Sequence, residues 1–190
     1  MRDRTIGFAV TGSYCTFEKA FTQMEKLAAQ GWKILPIFSF HAAGEDTRFG
    51  TAAYWIQRAE EIAGTRVLRT LSGVEPIGPK KLTDIMLVAP CTGNTAAKLA
   101  NNIIDTPVTL AVKSHLRGGR PVVLALSTND ALSGSAANIG ALMNRRHYYF
   151  VPLKQDAPQL KPNSAIADFD RIEETLLAAL DGRQIEPILL

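Results

Sequence analysis

The chain has 190 residues, of which 46% are hydrophobic and 21% are charged, a balance typical of a folded protein and not of a disordered one. Its formal net charge is only +3 and its basic residues are scattered, so the sequence indicates no nucleic-acid-binding surface. No apolar run approaches the roughly 20 residues that span a bilayer, and the first one is too short for a signal peptide, so we expect a cytoplasmic protein with no membrane partner.

Short apolar runs alternate with helical patterns along the first half of the chain. In chain order we predict a strand at 5–10, a helix at 14–30 ended by Gly31, a strand at 33–38, a polar turn at 39–48, and a helix at 49–63 closed by Gly64. The segment 65–81 predicts no more than a short strand and a turn.

The second half repeats this alternation. We predict a buried strand at 84–89, helices at 92–101 and 106–116, a buried strand at 121–126, a helix at 134–144, a short strand at 148–151, a surface loop at 152–162 and an amphipathic helix at 168–180. Nearly continuous apolar strands separated by helices are typical of a parallel sheet covered on both faces. The sequence therefore predicts a three-layer αβα sandwich, Rossmann-like or flavodoxin-like, with residues 1–190 forming one domain.

Hydroxyl and amide side chains follow four of the predicted strands. They are Thr11 and Ser13 after the first strand, Ser39 after the second, Thr92, Asn94 and Thr95 after the third, and Ser127, Thr128 and Asn129 after the fourth. Because ligands of open parallel sheets bind beyond the carboxyl ends of the strands, we expect these side chains to line one ligand crevice.

The turn after the first strand is compatible with two interpretations. Residues 7–13 have the glycine spacing of a P-loop, but Ser13 stands where the lysine would be, which argues against a nucleotide triphosphatase. The G-x-G-x-x-G fingerprint is absent as well. Backbone N–H groups and hydroxyls at Gly12-Ser13 would suit a single phosphate, but a serine that only caps a helix has the same pattern.

Two later segments carry the same ambiguity. Thr92 is an expected helix N-cap, yet Gly93 and Asn94 beside it would also suit a flavin ring or a phosphate. In the segment 127–130, Thr128 or Asn129 could equally be a cap. Asp130 is interpreted as the start of a helix.

Cysteines and histidines give no metal or disulfide pattern. Cys15 and Cys91 lie far apart and are expected to be reduced, half-buried thiols. His41, His115 and His147 share no spacing, and each is interpreted as a surface or structural residue.

Several unusual motifs occur in an order that resembles a known family. These are TGSYCTFE near the start, TRFG at 47–50, APCTGNTAAKLANNIIDTPV from 89, STNDAL at 127–132, KPNS at 161–164 and EPILL at the end. Together they resemble the B subunits of dipicolinate synthases, flavoproteins related to phosphopantothenoylcysteine decarboxylases and flavin prenyltransferases.

The resemblance implies a function, a cofactor and partners. It implies FMN at the strand ends, a homo-oligomer, a dicarboxylate substrate and a dipicolinate synthase A subunit as partner. The implied reaction is dehydrogenation of a dihydrodipicolinate-type precursor to pyridine-2,6-dicarboxylate, in the mother-cell cytoplasm of a spore-forming bacterium.

The resemblance also assigns residues to the cofactor. Gly12, Ser13 and Ser39 match its phosphate side, whereas the residues after the third and fourth strands match the other FMN-facing segments. The expected cofactor-binding set is Thr11, Gly12, Ser13, Ser39, Phe40, Pro90, Thr92, Gly93, Asn94, Thr95, Ser127, Thr128 and Asn129.

One position departs from the related decarboxylases. Their catalytic histidine precedes an aromatic residue, and here Arg48 precedes Phe49. No counterpart of their cysteine-bearing lid is found either. Arg48, which would pair with a substrate carboxylate, and Asn129 are therefore the candidate catalytic residues. A flavin-dependent decarboxylase and a non-catalytic FMN-binding accessory subunit remain as alternatives.

Overall fold

Five parallel strands form the main part of the sheet in the computed structural model, which describes residues 3–190. They are β1 (Thr5–Val10), β2 (Lys33–Phe38), β3 (Ile85–Cys91), β4 (Val122–Thr128) and β5 (Tyr148–Phe150). They lie in the order β2-β1-β3-β4-β5 and pair in parallel throughout. All five predicted strands are confirmed, with β3 and β4 each ending two residues later than expected.

Two short strands extend one edge of the sheet, and one of them, β7, runs in the opposite direction to the parallel strands. β6 (Leu153–Lys154) and β7 (Ala165–Ala167) pair with each other antiparallel, and β7 pairs antiparallel with Ser127 and Thr128. β5 pairs with the first part of β4 and β7 with its last part, so two strands share one edge. The sheet is therefore mixed: the predicted parallel strands are joined at this edge by antiparallel pairs that the sequence analysis did not predict.

Eight α-helices flank the sheet in the part of the chain that the structure describes. They are α1 (Phe17–Ala29), α2 (Phe40–Gly44), α3 (Ala52–Ala63), α4 (Leu71–Val74), α5 (Gly93–Ala100), α6 (Pro107–Leu116), α7 (Ala136–Met143) and α8 (Ile172–Leu180). Helices α1 and α8 pack on the sheet through β3, whereas α5, α6 and α7 contact one another in a chain and pack on β3, β4 and β5. This arrangement confirms the predicted Rossmann-like sandwich.

Helix boundaries differ from the prediction where side chains cap the backbone. The helix expected from residue 49 begins at Ala52, because the Thr51 hydroxyl accepts a hydrogen bond from the N–H of Tyr54. It ends as expected at Gly64, whose φ of 65° suits glycine. The segment predicted as a turn at 39–48 contains α2 instead, which Ser39 caps in the same way.

The segment 65–81, for which the sequence predicts the least, joins the edge of the sheet. The backbone N–H of Leu68 donates to the carbonyl of Pro36 in β2, and its carbonyl accepts from the N–H of Phe38, so Leu68 forms an isolated parallel bridge to Ile37. Helix α4 begins three residues later. Pro36 lies in β2 itself, which agrees with the position of this strand near the edge of the sheet.

The core is continuous across the sheet and its helices. The largest buried side chains include Phe8, Phe38 and Phe150 from the strands and Phe17 and Phe21 from α1. Within residues 3–190, no helix is both long enough and apolar enough to cross a bilayer.

Candidate functional site

A cleft of about 840 Å³ opens at the carboxyl ends of β1, β3 and β4. Its volume is within the range of small-molecule sites, roughly 300–1,000 Å³. Nine of the residues predicted from the sequence line it together: Gly12, Ser13, Arg48, Thr92, Gly93, Asn94, Ser127, Thr128 and Asn129. Three of the four strand ends expected to converge therefore do so, whereas the end of β2 with Ser39 does not line the cleft.

The first wall is the turn after β1. The Ser13 hydroxyl lies 2.8 Å from the Ser127 hydroxyl, so a hydrogen bond joins the ends of β1 and β4 across the cleft. The N–H of Gly12 makes no hydrogen bond to any residue within 3–190. The turn therefore offers a free backbone donor and the Ser13 hydroxyl to a ligand, and the end of β4 adds the Ser127 hydroxyl.

The second wall is the beginning of α5. Thr92 caps this helix, since its hydroxyl accepts from the N–H of Thr95 at 3.2 Å. The N–H groups of Gly93 and Asn94, in the first turn, have no intrahelical acceptor and lie at the cleft. Free N–H groups at a helix start favour an anion or a carbonyl oxygen.

One carboxylate and two hydroxyls form a hydrogen-bonded cluster against Gly93, at the start of α5. Thr128 and Ser135 both donate hydrogen bonds to Oδ1 of Asp130, the latter at 2.8 Å. These hydrogen bonds hold the pKa of Asp130 below its ordinary value. Gly93 packs on the cluster so closely that a Cβ there would lie 2.5 Å from the Ser135 hydroxyl.

The third wall is a loop between β6 and β7 that the sequence did not identify as part of the site. Lys161 pairs with Asp156 at 3.0 Å, and Ser164 donates to both Asp156 and the backbone carbonyl of Thr128. Burial alone would raise the pKa of Asp156, but Ser164 and Lys161 outweigh it and lower the pKa. The only sequence signal for this wall was the KPNS motif at 161–164.

Five predicted residues do not line the cleft: Thr11, Ser39, Phe40, Pro90 and Thr95. The Thr11 hydroxyl donates to the carbonyl of Pro90 and accepts from the N–H of Thr92, joining β1 to β3. Ser39 caps α2. The assignment of the five residues to a cofactor remains a prediction. The hydrogen bonds of Thr11 and Ser39 hold in place the backbone segments that follow β1 and β2.

Arg48 is an exposed residue that lines the cleft. Its guanidinium is 4.8 Å from the centre of the Phe49 ring, a cation–π contact. Arg48 forms no ion pair with any carboxylate that the structure describes. The turn that carries it is closed by two backbone hydrogen bonds of 3.1 Å between Thr47 and Gly50.

The cysteines and one histidine differ in environment. Cys91 is buried, and its burial raises the pKa of its thiol to about 12, whereas Cys15 is exposed and lines the cleft. His115 is fully buried between Thr83 and the carbonyl of Pro121, which agrees with a structural role. No cluster of three or more metal-ligating side chains exists among residues 3–190.

Comparisons with known proteins identify the family. The sequence profile of the Flavoprotein family matches residues 1–174. The chain is 41% identical over 190 residues to the dipicolinate synthase B subunit of Bacillus subtilis (strain 168), covering 100% of this chain and 95% of that protein.

Solved structures agree with this similarity. The crystal structure of the dipicolinate synthase B subunit from Bacillus halodurans superposes with a TM-score of 0.91 at 41% identity, over 99% of this chain and 96% of that one. The FMN-dependent cysteine decarboxylase SpaF shares the fold, with a TM-score of 0.70 at 18% identity over 95% of this chain and 98% of that one. The chain belongs to the Flavoprotein family and is a homologue of the dipicolinate synthase B subunit.

Proposed function

We propose that the chain is the B subunit of a dipicolinate synthase and that it binds FMN in the cleft beyond β1, β3 and β4. The observation that carries the proposal is the convergence of three strand ends on one polar cleft, in a chain 41% identical to such a protein along its whole length. FMN itself is inferred, because the family is named for flavins in general.

The donors of the cleft fit the parts of FMN. The free N–H of Gly12 and the Ser13 hydroxyl would hold the phosphate. The N–H groups at the start of α5, with Asn94 and Asn129, would face the ring system and its carbonyl oxygens. A bound flavin would supply a two-electron acceptor, and the chain would supply binding and orientation.

The cofactor proposal is tested by purifying the chain and measuring its visible absorbance and the mass of any released flavin. We expect FMN, and we expect Ser13→Ala to weaken FMN binding about ten-fold, because one hydrogen bond to a charged group is lost. Ser72→Ala, at an exposed site outside the cleft, is the matched control. A colourless protein that takes up no FMN would refute the proposal.

We further propose that the chain acts with an A subunit to dehydrogenate a small dicarboxylate. Arg48 supports this step, because it is a cation at the cleft with no ion-pair partner among residues 3–190. Dipicolinate formation, followed by its ultraviolet absorbance, should require both subunits, and Arg48→Gln should raise KM for the dicarboxylate. Full activity with an FMN-depleted chain would favour the accessory role instead.

We also propose that the chain, as one domain, forms a homo-oligomer through α7. This helix has no charged residue, and its residues Ala137, Ala141 and Met143 are exposed, as is Leu132 in the turn before it. Surface helices normally carry a polar outer face, so this one is expected to be covered. A structural relative is described as dodecameric. Light scattering should show an oligomer, and Ala137→Glu should dissociate it.

A further inference from the structure

A second cavity lies beside the end of α5, whereas the cleft lies at the beginning of this helix. Its volume is about 400 Å³, which is within the range of small-molecule sites, roughly 300–1,000 Å³. Its walls come from the end of α5, the segment 102–104 and α6, together with the first residue of β5. Among residues 3–190, no residue that lines this cavity also lines the cleft. The second cavity is therefore a separate candidate site.

Apolar and aromatic side chains form half of the residues that line the second cavity. They are Leu99, Ile103, Ile104, Leu116 and Tyr148. Ile103 and Ile104 are 47% and 38% exposed, although isoleucine is among the residue types most often buried in proteins. An apolar ligand in the cavity would remove part of this surface from water, which favours binding.

Three cationic side chains also line the second cavity, and one of them is neutralised. The Nζ atom of Lys98 lies 2.6 Å from each carboxylate oxygen of Asp105. Lys113 and Arg117 form no ion pair with any carboxylate of residues 3–190. They are four residues apart at the end of α6, a spacing at which like charges repel each other. An anion bound beside both cations would relieve this repulsion.

Neither the helix end nor a second copy of the chain explains the whole arrangement. Cations in the last turn of a helix compensate its dipole, and that role needs no ligand. It leaves unexplained why Ile103 and Ile104 are exposed beside the same cavity. A symmetric contact between two copies through this face would bring the same unpaired cations against each other. A ligand that is both apolar and anionic satisfies both parts of the lining.

We propose that the second cavity binds an amphipathic monoanion, a small molecule with one or two apolar rings and one carboxylate, which pairs with Lys113 and Arg117. A single anionic group is expected because the two unpaired cations are neighbours on α6, while the third is already neutralised. This site goes beyond the proposed function, which concerns the cleft alone.

Calorimetric titration of the purified protein with three named probes tests the proposal. 2-Naphthoate has the rings and the charge, 2-naphthamide has the same rings without the charge, and acetate has the charge without the rings. We expect 2-naphthoate to bind wild-type protein about ten-fold more tightly than 2-naphthamide, the value of one charge-assisted interaction. Acetate should bind about a hundred-fold more weakly than 2-naphthoate, because it buries almost no apolar surface.

Variants at exposed positions assign the binding to the cavity. Joint replacement of Lys113 and Arg117 by alanine should abolish the preference for 2-naphthoate over 2-naphthamide. Ile103→Asn should weaken the binding of both naphthyl probes by a similar factor and leave the preference intact. Lys19→Ala is the matched control, since it removes an exposed cation of α1 that lines neither cavity. Arg48→Gln, in the cleft, should also leave the binding of 2-naphthoate unchanged.

Several results would overturn the proposal. One is equal binding of 2-naphthoate and 2-naphthamide to wild-type protein, and another is a full preference in the protein that lacks both Lys113 and Arg117. Loss of 2-naphthoate binding in Arg48→Gln would place the probe in the cleft instead. Displacement of bound 2-naphthoate by the A subunit would identify the cavity as a protein–protein contact. None of these results changes the FMN measurement, so the proposed function stands or fails separately.

Discussion

Replacing Gly93 by alanine should destabilise the fold, although alanine is the better helix former. The added Cβ would lie 2.5 Å from the Ser135 hydroxyl, 2.7 Å from the Thr128 hydroxyl and 3.0 Å from Oδ1 of Asp130. Overpacking of this kind costs about 1–3 kcal/mol, whereas helix propensity returns at most about 1 kcal/mol. The hydroxyls cannot turn away freely, since both donate to Asp130. We therefore expect a net loss of about 1–2 kcal/mol.

Urea unfolding followed by circular dichroism measures this loss, and FMN titration of the same variant shows whether the start of α5 has shifted. Gly44→Ala is the matched control, because a Cβ there would meet no atom within 4 Å. Ser135→Ala in the Gly93→Ala background should recover part of the stability, since it removes the closest clash. A Gly93→Ala protein as stable as Gly44→Ala, with unchanged FMN affinity, would refute the packing argument.

Three further predictions concern residues outside the cleft. Burial lowers the pKa of His115 to about 4. On acidification, the folded state therefore binds this proton at a lower pH than the unfolded state, whose histidine titrates near 6.5. Stability should therefore be complete above pH 6.5 and fall by roughly 2–3 kcal/mol toward pH 4, and His115→Gln should flatten this slope in unfolding titrations. Arg58 joins Glu18 to Glu25 over buried rings, so Arg58→Ala should lower the free energy of unfolding by about 1–2 kcal/mol in urea; no change would leave these ion pairs without a role in stability. Thr106→Ala should lower the free energy of unfolding by about 1 kcal/mol, measured by thermal unfolding, because it removes a capping box. Thr106→Ser keeps the capping hydroxyl and should therefore retain most of this stability.

The strands of the parallel sheet were predictable because strands that are buried on both faces consist of nearly continuous apolar residues. β3 and β4 are buried almost from end to end. β6 and β7 have only two and three residues and form by pairing with each other and with the end of β4. Pairing of that kind depends on partners distant in the chain, and no local pattern reveals it.

The site was predictable to the extent that it lies at strand ends. Ser13 and Ser127 could be brought together from topology alone, although they are 114 residues apart. Asp156 and Lys161 could not, because their wall depends on β7 returning beside β4. Asp130 was interpreted as a helix start, but it lies in the turn before α7, where its carboxylate accepts hydrogen bonds from Thr128 and Ser135.

Hydroxyl residues at the strand ends divide into two groups with different chemistry. Thr11 both donates and accepts in joining β1 to β3, and it is almost fully buried. Among residues 3–190, the hydroxyls of Ser13 and Ser127 bond only to each other, apart from a long contact of Ser13 with the Cys15 thiol, so each hydroxyl retains capacity for a ligand. Loss of the Thr11 hydroxyl would leave the buried N–H of Thr92 without its acceptor, so it would mainly lower the free energy of unfolding. Loss of the Ser13 hydroxyl would mainly weaken ligand binding. The same residue types in the same sequence pattern therefore predict opposite phenotypes, and satisfaction of their hydrogen bonds in the fold decides between them.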